Sequence, residues 1–120
     1  MFSYIRRNAR KLKSKVVVVT GGAHVIGQAI VEDFRKEGAV IEVIDKTTGT
    51  YFVGDIDNKE TLEAFSSYVL EMHSDIDYLI NNALPIMKGI DECSYAEFQY
   101  ALSVGVTAPF YLTKLFKDSF

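Results

Sequence analysis

The sequence predicts a three-layer α/β fold built on a parallel sheet, and three observations carry that reading. Apolar, largely β-branched runs recur at residues 16–19, 39–45 and 77–83, as strands buried on both faces do. Apolar residues at helical spacing lie between them, first Ile26, Ala29, Ile30 and Phe34, then Leu62, Phe65, Val69 and Met72. A length of 120 residues, with 48% hydrophobic and 24% charged residues, suits one domain with a modest core.

The first strand, "VVVV", is followed by a turn, "TGGAHVIG", and a helix over 26–36 that ends in "KEG". Lys36 complements the negative helix terminus there, and Gly38 supplies the cap. "AVIEVID" is the second strand and "TYFVGD" the third. Only about five residues join them, too few for a crossover helix, so a loop must make the connection. Asn58 is a good N-cap for the helix "KETLEAFSSYVLEMHS". "DYLINNA" is the fourth strand, residues 84–93 form a loop, and Ser94 caps a long helical segment that Gly105 weakens and Pro109 interrupts.

Charge is unevenly distributed. Arg6, Arg7, Arg10, Lys11, Lys13 and Lys15 fall in the first fifteen residues, with no acid among them. The remaining seven basic and sixteen acidic residues leave the body at −9, which disfavours nucleic acid as a partner. Residues 1–14 read as a basic N-terminal arm; they are compatible with a membrane-surface segment or a transit-like peptide, but lack the apolar core of a secretory signal. The plainer expectation is a frayed helical arm ahead of the domain at 15–120. No apolar run is long enough to span a bilayer. A lone Cys93 forms no internal disulfide and offers no metal cluster, which fits a reducing, cytoplasmic setting.

Chemistry concentrates at the first turn. Thr20, Gly21, Gly22 and Gly27 combine a tight bend and close backbone approach with the unpaired N–H groups of a helix start, the requirements of a pyrophosphate site. A glycine-rich turn alone is weak evidence, but here a strand precedes it, a helix follows, and Asp45 ends the second strand. A carboxylate there accepts from ribose hydroxyls of NAD and repels the 2′-phosphate of NADP. The competing role for Asp45 is that of a strand-end turn residue or helix cap. A flavodoxin-like FMN site is excluded by the lack of a Ser/Thr-rich phosphate nest in the first loop.

At these residues the chain resembles the short-chain dehydrogenases/reductases. Residues 20–27 match the family's T-G-x-x-x-G-x-G except at Val25, and "GDID" supplies its D-[VIL] pair after the third strand as Asp55 and Ile56. "INNAL" matches N-N-A-G with Leu84 in place of glycine, and "ALSVGVTAPFYLTK" follows the long interface helix. The resemblance implies a Rossmann-like sheet in the order 3-2-1-4, the first part of a seven-stranded one. It implies a dinucleotide held by Thr20, Gly21, His24, Ile26, Gly27, Asp45, Asp55, Ile56, Asn82 and Ala83, with Asp55 at the adenine amino group. His24 faces solvent in this reading, and although a basic residue there favours NADP in the family, Asp45 opposes it.

Three departures qualify what the resemblance implies. Val25 stands where the family's backbone nearly touches the pyrophosphate, so weak NAD binding is expected. Gly105 replaces the family's catalytic asparagine. The family's serine and Tyr-x-x-x-Lys pair, which move the proton during hydride transfer, are absent: no tyrosine here has a lysine four positions later, and Tyr111 with Lys114 belongs to the interface helix. No catalytic residue and no metal ligand is therefore assigned, and the expectation is a truncated cofactor-binding half, inactive alone. The alternative is a non-catalytic relative serving as a dinucleotide-binding or assembly module. A sheet ending at strand four would leave Phe98, Leu102, Phe110, Leu112, Leu115 and Phe116 partly exposed, and predicts a homo-oligomer or a complementing C-terminal half as partner. Cys93 is expected to be inert, His73 to serve the helix dipole, and Asp75 and Asp77 to be solubility charges.

Overall fold

The computed structural model describes residues 11–120. Most of the predicted basic arm, residues 1–10, lies outside the described residues. Residues 11–14 form a turn fastened to the domain: Leu12 N donates to Glu37 O at 3.1 Å and Ser14 N to Gly38 O at 3.1 Å.

The elements are β1 (Val16–Thr20), α1 (Val25–Lys36), β2 (Val40–Asp45), β3 (Phe52–Val53), α2 (Lys59–Met72), β4 (Tyr78–Asn81), α3 (Tyr95–Leu102), a π-helical turn (Ser103–Thr107), α4 (Ala108–Phe116) and a closing 3₁₀ turn (Lys117–Ser119). The strands form one parallel sheet in the order β3-β2-β1-β4. β1 is central, and all five of its residues are buried. Its alternating side chains serve two cores. Val17 and Val19 pack under α1 with Val31, Ile41 and Val43. Val16 and Val18 pack on the other face with Ile44, Leu62, Phe65, Val69, Leu112 and Phe116, beneath α2 and α4. Period-two alternation along a strand buried on both faces gives the three layers directly.

Four expectations need correction. Ile26 and Ala29 do not lie on the core face of α1; both are exposed, and Gly27 and Val31 are buried instead. The contact is too close for a side chain at its first position, so the residue nearest the sheet is a glycine, which apolar periodicity overlooks. Met72 is exposed, and Ile76, just past the end of α2, is the residue buried in that core. Leu112 and Phe116 are fully buried, because α4 lies against α2 and the sheet rather than standing uncovered. β3 is shorter than the sequence suggests, with only Ile44↔Phe52 and Asp45↔Val53 in register.

Two polar residues also serve structure. Asp77 Oδ2 accepts the Val16 amide at 2.8 Å, so it anchors the start of β1 rather than merely carrying charge. His73 Nε2 lies 2.6 Å from Glu42 Oε2, tying the end of α2 to β2 rather than serving only the helix dipole.

The long final helix changes form at Gly105, where the chain takes one π turn with Ala108 N donating to Ser103 O. Pro109 follows directly after that turn, in the first turn of α4, so the helical segment changes form ahead of the proline and continues through it. Ser94 and Glu97 form a reciprocal capping box at the start of α3. Lys88, in the preceding loop, pairs with Glu97. That hydrogen bond, with those from Ser94, lowers the Glu97 carboxyl from 4.5 to about 2. A carboxyl lowered on folding contributes stability above its unfolded pKa and loses it as pH falls through the folded one. Amide protection at Ser94 and Glu97, relative to the intrinsic exchange rate at each pH, should therefore fall as pH drops from 4.5 towards 2, and Glu97→Gln should remove that dependence. Identical pH profiles for the two proteins would refute the tether.

Candidate functional site

The strands of an open parallel sheet end together, and the space outside their carboxyl ends is where such sheets bind ligands. A cleft of about 420 Å³ lies there. Its floor comes from the turn after β1, with Gly21, His24, Val25, Ile26 and Gly27. One wall comes from the ends of β2 and β3 through Ile44, Asp45, Lys46, Gly54, Asp55 and Ile56. The other comes from the segment after β4, Asn82 to Ile86, and from Tyr100 and Val104.

Backbone packing shapes the floor. Gly21 has φ +67°, and a Cβ there would come within 2.9 Å of Ala83 Cα. A Cβ on Gly27 would overlap the Gly21 carbonyl oxygen, so the helix can start this close to the strand only with glycine. The first-turn amides of α1 have no intrahelical acceptor, and N-cap His24 supplies no side-chain cap. His24 is exposed, as expected, with Nε2 3.2 Å from Thr47 Oγ1.

Thr20 does not line the cleft. It lies beneath, 1% exposed, and its Oγ1 accepts the amides of Asn82 at 3.1 Å and Ala83 at 3.0 Å. Asn82 returns a bond from Nδ2 to Gly21 O at 3.0 Å. The β1 turn and the β4 exit are therefore one hydrogen-bonded unit.

Asp45 is buried, and its two oxygens accept different amides, Ala23 at 3.1 Å and Thr47 at 2.9 Å. The turn-residue role weighed for it is thus met, while each oxygen keeps a lone pair. Asp55 is bound similarly, through Oδ1 by the Asp57 amide at 3.1 Å and through Oδ2 by the Tyr100 hydroxyl at 2.8 Å. Burial and then the Asp55 charge raise the Asp57 carboxyl above its usual value.

Nine of the ten residues singled out in the sequence line this cleft, and the tenth, Thr20, ties its floor to the wall formed after β4. Sequence reasoning missed Tyr100 and Lys46. Lys46 could have been suspected as the neighbour of Asp45, but Tyr100 comes from a helix 45 residues from its partner, and no local signal marks it. Val25 is 84% exposed at the cleft, so nothing in the protein opposes its side chain. A Cβ at Gly105 would meet only Pro85 ring carbons at 3.8 and 3.9 Å, so there is room for a side chain that this sequence does not provide.

Residues 15–120 match the family model described as short chain dehydrogenase. The chain belongs to the short chain dehydrogenase family. Among curated relatives it is 30% identical to momilactone A synthase of Oryza sativa subsp. japonica, over 93% of this chain and 47% of that protein. It is 33% identical to L-fucose dehydrogenase of Mus musculus, over 88% of this chain and 44% of that protein. The chain thus spans about half the length of the curated relatives it matches. Among solved structures, aldohexose dehydrogenase of Thermoplasma acidophilum superposes with a TM-score of 0.80 at 26% identity, over 92% of this chain and 46% of the other. L-sorbose reductase of Gluconobacter frateurii, solved with NADPH and L-sorbose, gives 0.81 at 25% identity, over 92% and 49%. The family binds NAD or NADP. Among the described residues, no helix is long and apolar enough to cross a membrane.

If the β1–β4 seam supports the family cleft, Thr20→Val should destabilise the fold by about 2 kcal/mol, because two half-buried amides lose their acceptor. Thr20→Ser should recover most of that. Urea unfolding is the measurement, and a neutral Thr20→Val would show that the seam does not hold the cleft.

Proposed function

We propose that this chain is the NAD-binding half of a short-chain dehydrogenase/reductase-type oxidoreductase, holding its cofactor weakly and lacking turnover by itself. The observation that carries the reading is the convergence of the glycine turn, Asp45 and Asp55 on one cleft at the carboxyl ends of β1, β2 and β3. The donor set fits the group. First-turn amides of α1 suit a pyrophosphate. Asp45, with a lone pair free on each oxygen, suits the ribose hydroxyls and opposes a 2′-phosphate, so NAD is preferred to NADP. The apolar slot between Ile44, Gly54 and Ile56, with the Asp55 carboxylate at its rim, suits a flat base that bears an amino donor. When bound, the cofactor would supply the hydride-accepting ring.

The groups that move a proton are not in this sequence. No tyrosine has lysine at the fourth position after it, and Tyr111 is otherwise engaged, its hydroxyl donating to Glu63 Oε2 at 2.7 Å. The second reading, a non-catalytic module for dinucleotide binding or assembly, draws on the same absence and on the exposed apolar residues of the last helices. Phe98, Leu102, Val106 and Phe110 recur every fourth residue and are all exposed. Such a stripe suits a second copy of the chain or a complementing C-terminal half. A reducing cytoplasm remains the setting we propose, on the lone Cys93.

Val25 decides affinity. Its branched side chain occupies the approach to the first-turn amides, a misfit of about 1–3 kcal/mol, roughly ten- to a hundredfold in Kd. Calorimetry with NAD should show Val25→Gly binding tighter by that factor, while equal micromolar affinities would refute the steric effect. Light scattering at micromolar concentration should show a species larger than 13.5 kDa, and a well-behaved monomer would remove self-association.

A further inference from the structure

We propose that Tyr100 is a positioning residue for base recognition: its hydroxyl, 2.8 Å from Asp55 Oδ2, fixes that carboxylate as a one-directional acceptor and makes the cleft favour an amino-bearing purine over a carbonyl-bearing one. The inference rests on the NAD-binding reading above and specifies how one end of that site selects its ligand.

Asp55 lies in the turn between β3 and α2, a surface segment in which a carboxylate would ordinarily rotate freely in water. Here it is held from both sides. The Asp57 amide occupies Oδ1 and the Tyr100 hydroxyl occupies Oδ2, which fixes the carboxylate plane and leaves one acceptor direction per oxygen. Tyr100 is fixed in turn: its ring packs against the core beneath α2 and α4, and the Lys46 ammonium lies 5.6 Å from the ring centroid. Burial, and then the bond to Asp55, push the Tyr100 hydroxyl up to about 12, so it stays a donor throughout the working pH range.

A carboxylate held this way discriminates by hydrogen-bond polarity. Adenine presents an exocyclic N–H₂ donor, and the free lone pairs accept from it. Hypoxanthine presents an oxygen at the same position, which meets a fixed negative charge with no donor between them. A freely rotating, hydrated carboxylate could turn away or interpose a water, and the penalty would shrink. The phenol thus touches the carboxylate and acts on the base through it.

Calorimetry of the full chain with NAD and with nicotinamide hypoxanthine dinucleotide tests this. The wild type should prefer NAD by at least about fivefold, the factor of one net hydrogen bond. Tyr100→Phe keeps the ring and should erase most of that preference by weakening NAD more than the hypoxanthine analogue, with Tm little changed. Asp55→Asn, whose amide can donate to the purine oxygen, should narrow or invert it. A wild-type preference retained in Tyr100→Phe would overturn the role of Tyr100 while leaving the cofactor reading intact, as would tighter NAD binding in that variant. Should Tyr100→Phe fail to fold, an undiminished preference in Asp55→Asn overturns the proposal. Absence of binding by both dinucleotides, with Val25→Gly included, overturns the cofactor reading and this inference with it.

Discussion

The close approach of β1's exit to β4's exit is the constraint on which the rest depends. Thr20 sits at the end of the central strand, where its hydroxyl is the acceptor for two consecutive amides of the neighbouring segment. With the strands held at that spacing, Ala83 lies against Gly21 so closely that no side chain fits between them. Gly21 must bend with positive φ, α1 must begin at once, and Gly27 must pass over the Gly21 carbonyl without a side chain. One buried hydroxyl thus joins the exits of the two strands at the point where the chain turns towards the first helix. Removing water from two backbone donors is costly unless they are paired, which is why so small a group can govern so much geometry.

Much of this was legible in the sequence, and the legible parts share a cause. The four strands, the α2 cap at Asn58 and the α3 cap at Ser94 follow from local chemistry: β-branched runs, and a side-chain oxygen placed before an apolar stripe. That these residues gather at one cleft was legible because a glycine turn after one strand and an acid ending the next both fall at the carboxyl ends of neighbouring parallel strands. The parts that were not legible depend on tertiary approach. Ile26 counts as apolar at helical spacing, yet the end of α1 nearest the cleft turns it outward and buries Gly27 instead. Leu112 and Phe116 are buried by α4's contact with α2 and the sheet, which the pattern within the last helix alone does not reveal. Tyr100 finds Asp55 across 45 residues, and Asp77 finds the Val16 amide across 61; neither pairing leaves a trace at short range.

The departures from the family pattern sort by what they touch. Val25 and Leu84 border the cleft and are largely exposed, so neither strains the framework. Gly105 lies in the π turn, facing Pro85 across open contact distance. None of the three falls in the β1–β4 seam or the two cores. The departures thus lie at the cleft and its border, away from what holds the sheet together.

The π turn has a consequence for how the last helices meet their surroundings. Buried Val104, Ala108, Leu112 and Phe116 are four residues apart, as are exposed Phe98, Leu102, Val106 and Phe110. In an unbroken α-helix, each four-residue step overshoots a full revolution by about 40°, so either row would wind around the cylinder. The wider loop at Ser103–Thr107 absorbs part of that drift. It acts as a phase correction, keeping one ribbon of side chains aimed at the sheet and the other aligned outward for longer than a regular helix of this length would permit.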